Sequence, residues 1–374
     1  MPPTLPTNRG YSAATATRLT VERTWLYRPA TDWSYSHHPH LAFFKGCYYA
    51  MWSNGRHDED APGQRVLMAT SGNGRMWSAP QPLLDSQPGT SSEMVLTAAG
   101  WHVTIDTLVA CIGRYEYRLE YLDKGRRRPG DTGHMGTTLL AMTTTDGTHW
   151  STPVDLWLPI VPNHGPQRTT SGRLIISGNI SFPYTDDPAG LSGWCMTGIY
   201  PARMAAGIVD DSESFWKIAK AEGWPCGLCE GSFYQTDDGL LHMLMRSNTE
   251  RLWVTESRND GATWSAPVIT EFSDNGTKFH FGRLPGGRFY YVGCPDAEPR
   301  GQRCPLVLSL SEDGTHFDRH FILADEPYQR ITEGLHKGGE YGYPHTLIQD
   351  GNLYVAMSRQ KEAVEVLCMP LQGL

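Results

Sequence analysis

Thr144-Thr-Asp146-Gly147-Thr-His-Trp150 is written, with small changes, three more times in this chain. The other copies are Ser71-Gly-Asn73-Gly74-Arg-Met-Trp77, Arg258-Asn-Asp260-Gly261-Ala-Thr-Trp264 and Ser311-Glu-Asp313-Gly314-Thr-His-Phe317. Each joins a short polar residue, an Asp or Asn, a Gly and an aromatic. Asp and Asn side chains bond nearby backbone in turns, and Gly supplies the positive φ such turns need. Three copies run on into Ser-x-Pro (Ser78 to Pro80, Ser151 to Pro153, Ser265 to Pro267), and an apolar strand precedes each: Val66-Leu-Met-Ala, Leu139-Leu-Ala-Met, Leu252-Trp-Val-Thr and Leu306-Val-Leu-Ser. The pattern predicts one hairpin turn repeated along an all-β chain, its aromatic packed on the sheet beneath.

The aromatics stand 73, 114 and 53 residues apart, and a degenerate copy, Asp211-Ser-Glu-Ser-Phe215-Trp216, falls within the widest gap. Several short strands per repeat at this period predict a β-propeller. The turns resemble the Asp boxes of sialidase-like propellers, which sit on the outer rim and carry no chemistry. The strands group into six blades: His37 to Leu84, Met94 to Trp157, Gln167 to Lys220, Gly231 to Thr270, Phe279 to Leu323, and a last blade of three C-terminal strands. The run Arg18 to Trp25 is expected to supply that blade's fourth strand and close the ring, removing an open sheet edge. A single propeller domain is thus expected over residues 1–374.

Charged residues make up only 19% of the 374, and the formal net charge is −8, which argues against a nucleic-acid partner. Arg126-Arg127-Arg128 reads as a solvated loop tip. No stretch approaches the roughly 18 apolar residues of a membrane span, and the N-terminus has no apolar signal region. A soluble monomer is expected, either cytoplasmic or secreted with its leader already removed. Of the eight cysteines, Cys47, Cys111 and Cys368 read as buried thiols, and Cys294 and Cys304 flank one loop and would pair in a secreted protein. Cys226-Gly-Leu-Cys229 has the spacing of a zinc half-site without a second half, so no metal site is assigned.

In a propeller the innermost strand of each blade lines the axis, and its start and the loop leaving it are expected to face the ligand. Those positions hold Ser36-His37-His38-Pro39-His40 and Ser53 to Asp60, then Trp101-His102 and Arg114 to Arg118, then Asn163-His164-Gly-Pro-Gln-Arg168. Later blades offer Glu230 and Arg246, Lys278-Phe-His280-Phe-Gly-Arg283, and Glu333, His336, Tyr341, Tyr343 and His345. Histidine exchanges protons near neutral pH, and arginine grips carboxylates through two parallel bonds. Such a funnel suits an acidic sugar, with Trp33, Trp52, Trp101, Tyr115 and Tyr117 as stacking rims. Any one of these histidines or aromatics serves packing as readily. A sialidase would need an arginine triad, a tyrosine nucleophile with a glutamate partner and usually an early Arg-Ile-Pro segment; no such segment exists, and axis-facing carboxylates are few (Glu93, Glu230, Glu333).

The run His37-His-Pro-His40-Leu-Ala-Phe-Phe to His57-Asp-Glu-Asp-Ala-Pro-Gly-Gln-Arg65 resembles propeller enzymes that act on the L-rhamnose–α-1,4–D-glucuronate caps of arabinogalactan and gum arabic. So do Asn163 to Gln167, Gly282 to Tyr291 and Tyr343-Pro-His345-Thr-Leu347. That family is related to propeller ulvan lyases, and the resemblance implies seven blades rather than six. It implies an exo-acting lyase that cleaves by β-elimination. His37 and His57 match its histidine pair and Arg118 its uronate-binding arginine, while His102 falls where a tyrosine proton donor is expected. His38, Trp52, Tyr115, Tyr117, His164, Arg168, His280 and His345 are the expected substrate contacts. No cofactor is required, although a structural calcium in the central channel would be compatible. The alternatives are an α-L-rhamnosidase using the same pocket with water, and a sugar-binding propeller without catalysis.

Overall fold

The computed structural model describes residues 5–123, 126–127, 134–199, 227–334 and 336–374. Among these the chain is built from strands, with one short 3-10 turn at Leu119–Tyr121. Sheet 1 runs through Tyr35–Phe44, Cys47–Gly55, Arg65–Ser71 and Gln81–Leu84, and sheet 2 through Val95–Val103, Leu108–Tyr117, His134–Thr144 and Val154–Asp155. Sheet 3 holds Gln167–Arg168, Leu174–Ile175 and Tyr184–Thr185, extended by a bridge from Tyr184 to Cys195. Sheet 4 holds Cys229–Gln235, Leu241–Arg246, Arg251–Ser257 and Val268–Ser273; sheet 5 holds His280–Arg283, Phe289–Gly293, Leu306–Ser311 and Arg319–Ala324. Sheet 6 holds Gly342–Gln349, Asn352–Arg359 and Ala363–Pro370.

The N-terminal run divides between two sheets. Glu22–Tyr27 pairs antiparallel with Ala363–Pro370 as the fourth strand of sheet 6, as expected. Thr17–Arg18 instead lies parallel to Arg319–Ala324 at the edge of sheet 5. The degenerate turn at Asp211 to Trp216, the end of the third repeat, Cys226 and the Arg128 end of the basic triplet lie outside the described residues, as do the side chains of Arg126 and Arg127.

Apolar side chains pack between sheets. Leu96, Ala98 and Ile112 of sheet 2 meet Met51, Val66 and Met68 of sheet 1. Ile175 and Phe182 meet Phe233 and Met243 across sheets 3 and 4, and Leu308 meets Val355 and Leu367 across sheets 5 and 6. Sheet 6 in turn meets sheet 1 through Tyr354, Val364 and Val366 against Trp52 and Leu67. Trp52 is fully buried there, so it is core and not a sugar platform. Trp101 likewise packs between sheets, its indole N–H donating to the His40 carbonyl.

The repeated turns join the third and fourth strands of sheets 1, 2, 4 and 5. In the second copy the Thr144 hydroxyl accepts the Gly147 N–H at 2.8 Å, and Asp146 Oδ1 accepts from Thr148 and His149 at 2.8 Å each. Gly147 has φ +80°, and a Cβ there would lie 1.9 Å from the Tyr49 hydroxyl of sheet 1. Each box glycine thus seats its turn on the preceding sheet: Gly74 on Tyr354, Gly261 on Ile175 and Gly314 on Tyr234. The third copy carries one extra residue. There Asn259 Oδ1 accepts the Thr263 N–H at 2.9 Å and Ser257 Oγ the Gly261 N–H at 2.8 Å. Asp260, the residue the sequence assigns to this role, sits at φ 57° and bonds Ser171 of sheet 3 instead.

Candidate functional site

Three innermost strands begin with the same irregularity. Their pairing slips between His37 and His40, between Cys229 and Ser232, and between Gly342 and His345. Within these bulges His38, Glu230 and Tyr343 have φ of 54°, 55° and 54°, and Pro39, Gly231 and Pro344 follow them. A bulge re-aims the side chain it carries. Here three are turned into one cavity of about 260 Å³, which Asp60, Tyr115, Arg246, Arg303 and Lys361 also line. Twelve described non-glycine residues have φ in the left-handed region, and six of them (His38, Asp60, Glu230, Arg303, Tyr343 and Lys361) line this cavity. Left-handed backbone costs a non-glycine residue on the order of 1 kcal/mol or more and gathers at functional sites. The concentration marks this cavity as the candidate site.

Its polar groups form two linked systems. In the first, the Tyr343 hydroxyl donates to Glu230 Oε1, and Arg246 Nη1 bonds both Glu230 oxygens at 2.8 Å. Burial works to raise the Glu230 pKa, but the charge and hydrogen bond of Arg246 outweigh it and the net shift is downward. Burial, then the negative charge of Glu230, pushes the Tyr343 hydroxyl well above its ordinary range. The Arg303 guanidinium lies 5.7 Å from the Tyr343 ring centre. Arg303 is 8% exposed, and its Nε and Nη1 have no hydrogen-bond partner. In the second system, Lys361 Nζ bonds Glu59 Oε2 at 2.5 Å. Burial works against the Glu59 carboxylate, yet Lys361 and the neighbouring cations hold it down to about 2. His38 donates to or accepts from Ser53 Oγ at 3.0 Å, and burial lowers its ring to about 4. Tyr115 stacks on His134 at 4.1 Å to form a wall.

Behind this cavity lies a second cluster, in which His164 and His280 are buried and His345 half-buried. His164 Nε2 donates to the Phe279 carbonyl at 3.0 Å, His280 Nδ1 accepts the Thr346 N–H at 2.8 Å, and His345 Nδ1 accepts the Leu41 N–H at 3.2 Å. These rings tie innermost strands of different sheets together and do not line the cavity, contrary to the substrate contacts expected of them. A ring nitrogen from each lies within 4.8 Å of the others. The fully buried Lys278 ammonium has no hydrogen-bond partner, and burial lowers its pKa to about 7.

The other expected site residues divide sharply. His38 and Tyr115 line the cavity. His37 is fully buried just behind His38, and Tyr117 is buried with its hydroxyl 3.0 Å from His134 Nε2. His57 and Arg118 are exposed and do not line the cavity. His102 and Arg168 lie at the other end of their strands, His102 bonded to the Pro188 carbonyl at 2.8 Å and Arg168 to the Gly172 carbonyl at 3.1 Å. The reason is antiparallel alternation. A strand that starts at the cavity ends away from it, so the loops returning to the cavity leave each second strand. Arg303 and Lys361 sit in such loops and were not singled out in the sequence; their placement after the second strands of sheets 5 and 6 is the signal that finds them. The seven described cysteines are free thiols, Cys294 and Cys304 among them. No described helix is long and apolar enough to cross a membrane.

The model of a BNR repeat-like domain matches residues 46–355. Among solved structures, the chain is similar to a protein of unknown function from Dyadobacter fermentans, at 14% identity and TM-score 0.63, over 94% of this chain and 99% of that one. It is similar to a sialidase at 17% identity and TM-score 0.65, and to Trypanosoma rangeli sialidase in complex with sialic acid at 15% identity and TM-score 0.64. The alignments take in 95% and 96% of this chain but only 33% and 60% of those two, so it spans one part of each. At such identities the likeness is one of fold. No curated protein matches the chain.

Proposed function

The chain belongs to the BNR repeat-like domain family and has a sialidase-like all-β fold, and from that premise we propose that it is a glycoside hydrolase acting on a terminal acidic sugar through a tyrosine nucleophile. One observation carries the reading: Tyr343 donates its hydroxyl proton to Glu230 beside an arginine, Arg303, whose guanidinium has unpartnered nitrogens. A phenol is a weak nucleophile until a base takes its proton, and a carboxylate at hydrogen-bond distance is such a base. Tyrosine nucleophiles are known among sialidases, where an anionic sugar would repel a carboxylate nucleophile. In the proposed reaction Arg303, with Arg246 and Lys361 near it, holds the substrate carboxylate. Glu230 accepts the Tyr343 proton as the phenolate oxygen attacks the anomeric carbon. Asp60 protonates the departing oxygen and then takes a proton from the water that releases the sugar. Glu59 is unsuited to that role because Lys361 keeps it ionised. The six sheets are read as six blades of one propeller spanning the chain, joined by the N-terminal strand.

A second reading keeps the same pocket and is favoured by the neutral ring of His38. There Arg303 neutralises a uronate, His38 removes the C5 proton, and Tyr343 protonates the leaving oxygen. This is β-elimination of the kind expected for rhamnosyl-glucuronate. One experiment separates the two. The protein is incubated with fluorogenic glycosides of sialic and glucuronic acid and with gum arabic. The hydrolase releases saturated sugar and loses at least ~10²-fold in kcat in Tyr343→Phe, following the size of acid–base and nucleophile effects. Absorbance of an unsaturated uronate accompanying free rhamnose would install the second reading, and binding without turnover on every substrate would overturn both.

A further inference from the structure

Two side chains of the first strand of sheet 1 and one from the loop between its second and third strands face each other across a gap that none of them bridges. His37 Nε2 is 3.6 Å from Glu59 Oε1, and His38 Nε2 is 3.8 Å from the same oxygen. The three ligand atoms lie within 4.8 Å of one another. These separations are too long for hydrogen bonds. They approach the roughly 3.3–3.6 Å edges of a tetrahedron whose ligands stand about 2.0–2.2 Å from a metal.

Ser358 stands behind His37. Ser358 Oγ donates its own proton to the Gly342 carbonyl at 3.3 Å. His37 Nδ1 lies 2.6 Å from that hydroxyl, and in the tautomer that a metal at Nε2 requires it is the donor. This leaves Nε2 with a bare lone pair, fully buried and without a partner. A lone pair aimed at a carboxylate is stable only with a positive centre between them. Metal-binding histidines characteristically donate their other N–H to an oxygen in this way. Glu59 is likewise prepared, since Lys361 holds Oε2 and leaves Oε1 turned to the histidines. We propose that His37 Nε2, His38 Nε2 and Glu59 Oε1 bind a divalent transition-metal cation, zinc above all, in the wall of the cavity, with one or more positions open to water or a substrate hydroxyl. Two imidazoles and one carboxylate are a donor set that suits such metals and not calcium. The deeper trio fits less well, because His280 and His345 each accept a backbone N–H at Nδ1 and so carry their proton at Nε2.

The proposal leaves the groups of the hydrolase reading free and excludes His38 as the base of the second reading, and its test reads binding and not turnover. Protein stripped with a chelator is titrated with Zn2+ by calorimetry, metal per chain is counted by elemental analysis, and Co2+ is added as a spectroscopic probe. One equivalent should bind and Co2+ should give ligand-field bands. Glu59→Gln and His38→Ala, confirmed folded by circular dichroism, should each weaken binding at least ~100-fold. Ser358→Ala should weaken it ~10-fold through His37, and His280→Asn should leave it unchanged. Absence of stoichiometric binding, or binding indifferent to Glu59→Gln and His38→Ala, overturns the proposal. Loss of binding in His280→Asn alone would overturn it in favour of the deeper histidines. Should Glu59→Gln not fold, His38→Ala and Ser358→Ala decide.

Discussion

Arg303 is the residue whose state asks most for a ligand. It is almost wholly buried, its own N–H donates to Asn275 Oδ1 at 2.8 Å, and two of its guanidinium nitrogens face no acceptor. Leaving a buried charged donor unmade costs more than an ordinary hydrogen bond gains. A substrate carboxylate would supply the missing acceptors, and the planar fork would accept it through two bonds where an ammonium would give one. Arg303→Lys is therefore expected to raise KM at least ~10-fold on an acidic substrate and to change it little on the same substrate with its carboxyl reduced. Equal losses on both would make Arg303 structural. No neighbouring residue marks it in the sequence; its place after the second strand of sheet 5 is the one signal that does. Glu230 and Tyr343 were legible as axis-facing residues, since each opens an innermost strand. That they touch was not legible, because 113 positions separate them. The local pattern that brought forward His57 and Arg118 was a continuous run along the chain, and the cavity is assembled across it from several sheets.

The turn elements read most clearly from sequence, since a box is a matter of six or seven consecutive residues. The third copy shows where such reading slips. Its extra residue moves the capping role to Asn259 and leaves Asp260 facing Ser171 and Arg173 of the neighbouring sheet. The box acid proper is exemplified by Asp313, whose Oδ1 accepts from Thr315 at 2.7 Å and His316 at 2.8 Å. Asp313→Ala removes these bonds, together with those to the Ser311 hydroxyl and His316 Nδ1, at a largely exposed turn, at a cost of about 1 kcal/mol. The melting temperature should fall by about 2 °C in a chain of this size with turnover unchanged. Asp260 behaves differently. At φ 57° an alanine keeps the backbone strain and loses the Ser171 bond, whereas Asp260→Gly loses the bond and relieves the strain. Calorimetry should find Asp260→Gly more stable than Asp260→Ala by a few tenths of a kcal/mol to about 1 kcal/mol. The reverse order would mean that the turn is not held left-handed. The sheets were legible for the same local reason, and the division of the N-terminal run was not. Which partner edge takes Thr17–Arg18 depends on the path of the whole chain, not on its alternation.

At the scale of the molecule the interior is built on neutral histidine, which makes it acid-labile. Burial holds His37, His38, His40, His164, His280 and His345 below their ordinary pKa, His38 at about 4 and His280 at about 3. In the unfolded chain each ring takes a proton near 6.5. Below that pH the unfolded state binds more protons, so stability is complete above about 6.5 and is lost as pH falls toward the folded values. Glu59 and Glu230, both lowered, act in the same direction below the ordinary glutamate range. Asp274 acts against them. Burial raises it to about 7, so its contribution is present below the ordinary aspartate pKa and lost as pH rises through 7. One opposing carboxyl does not balance six rings. Each ring can cost about 1.4 kcal/mol per pH unit, and a folded domain has only about 5–15 kcal/mol to lose. A cooperative unfolding near pH 5 is therefore expected, seen as a melting temperature that falls steeply from pH 6.5 downward. His40 provides the control, since its ring is fully buried and lies outside the cavity lining. Replacing it by glutamine removes one titrating ring, so the slope of stability against pH between 6 and 5 should shrink by about one proton, whatever the substitution does to stability at pH 7. An unchanged slope would mean that His40 is protonated in the folded state, and that a buried anion or carboxylate faces the axial histidines.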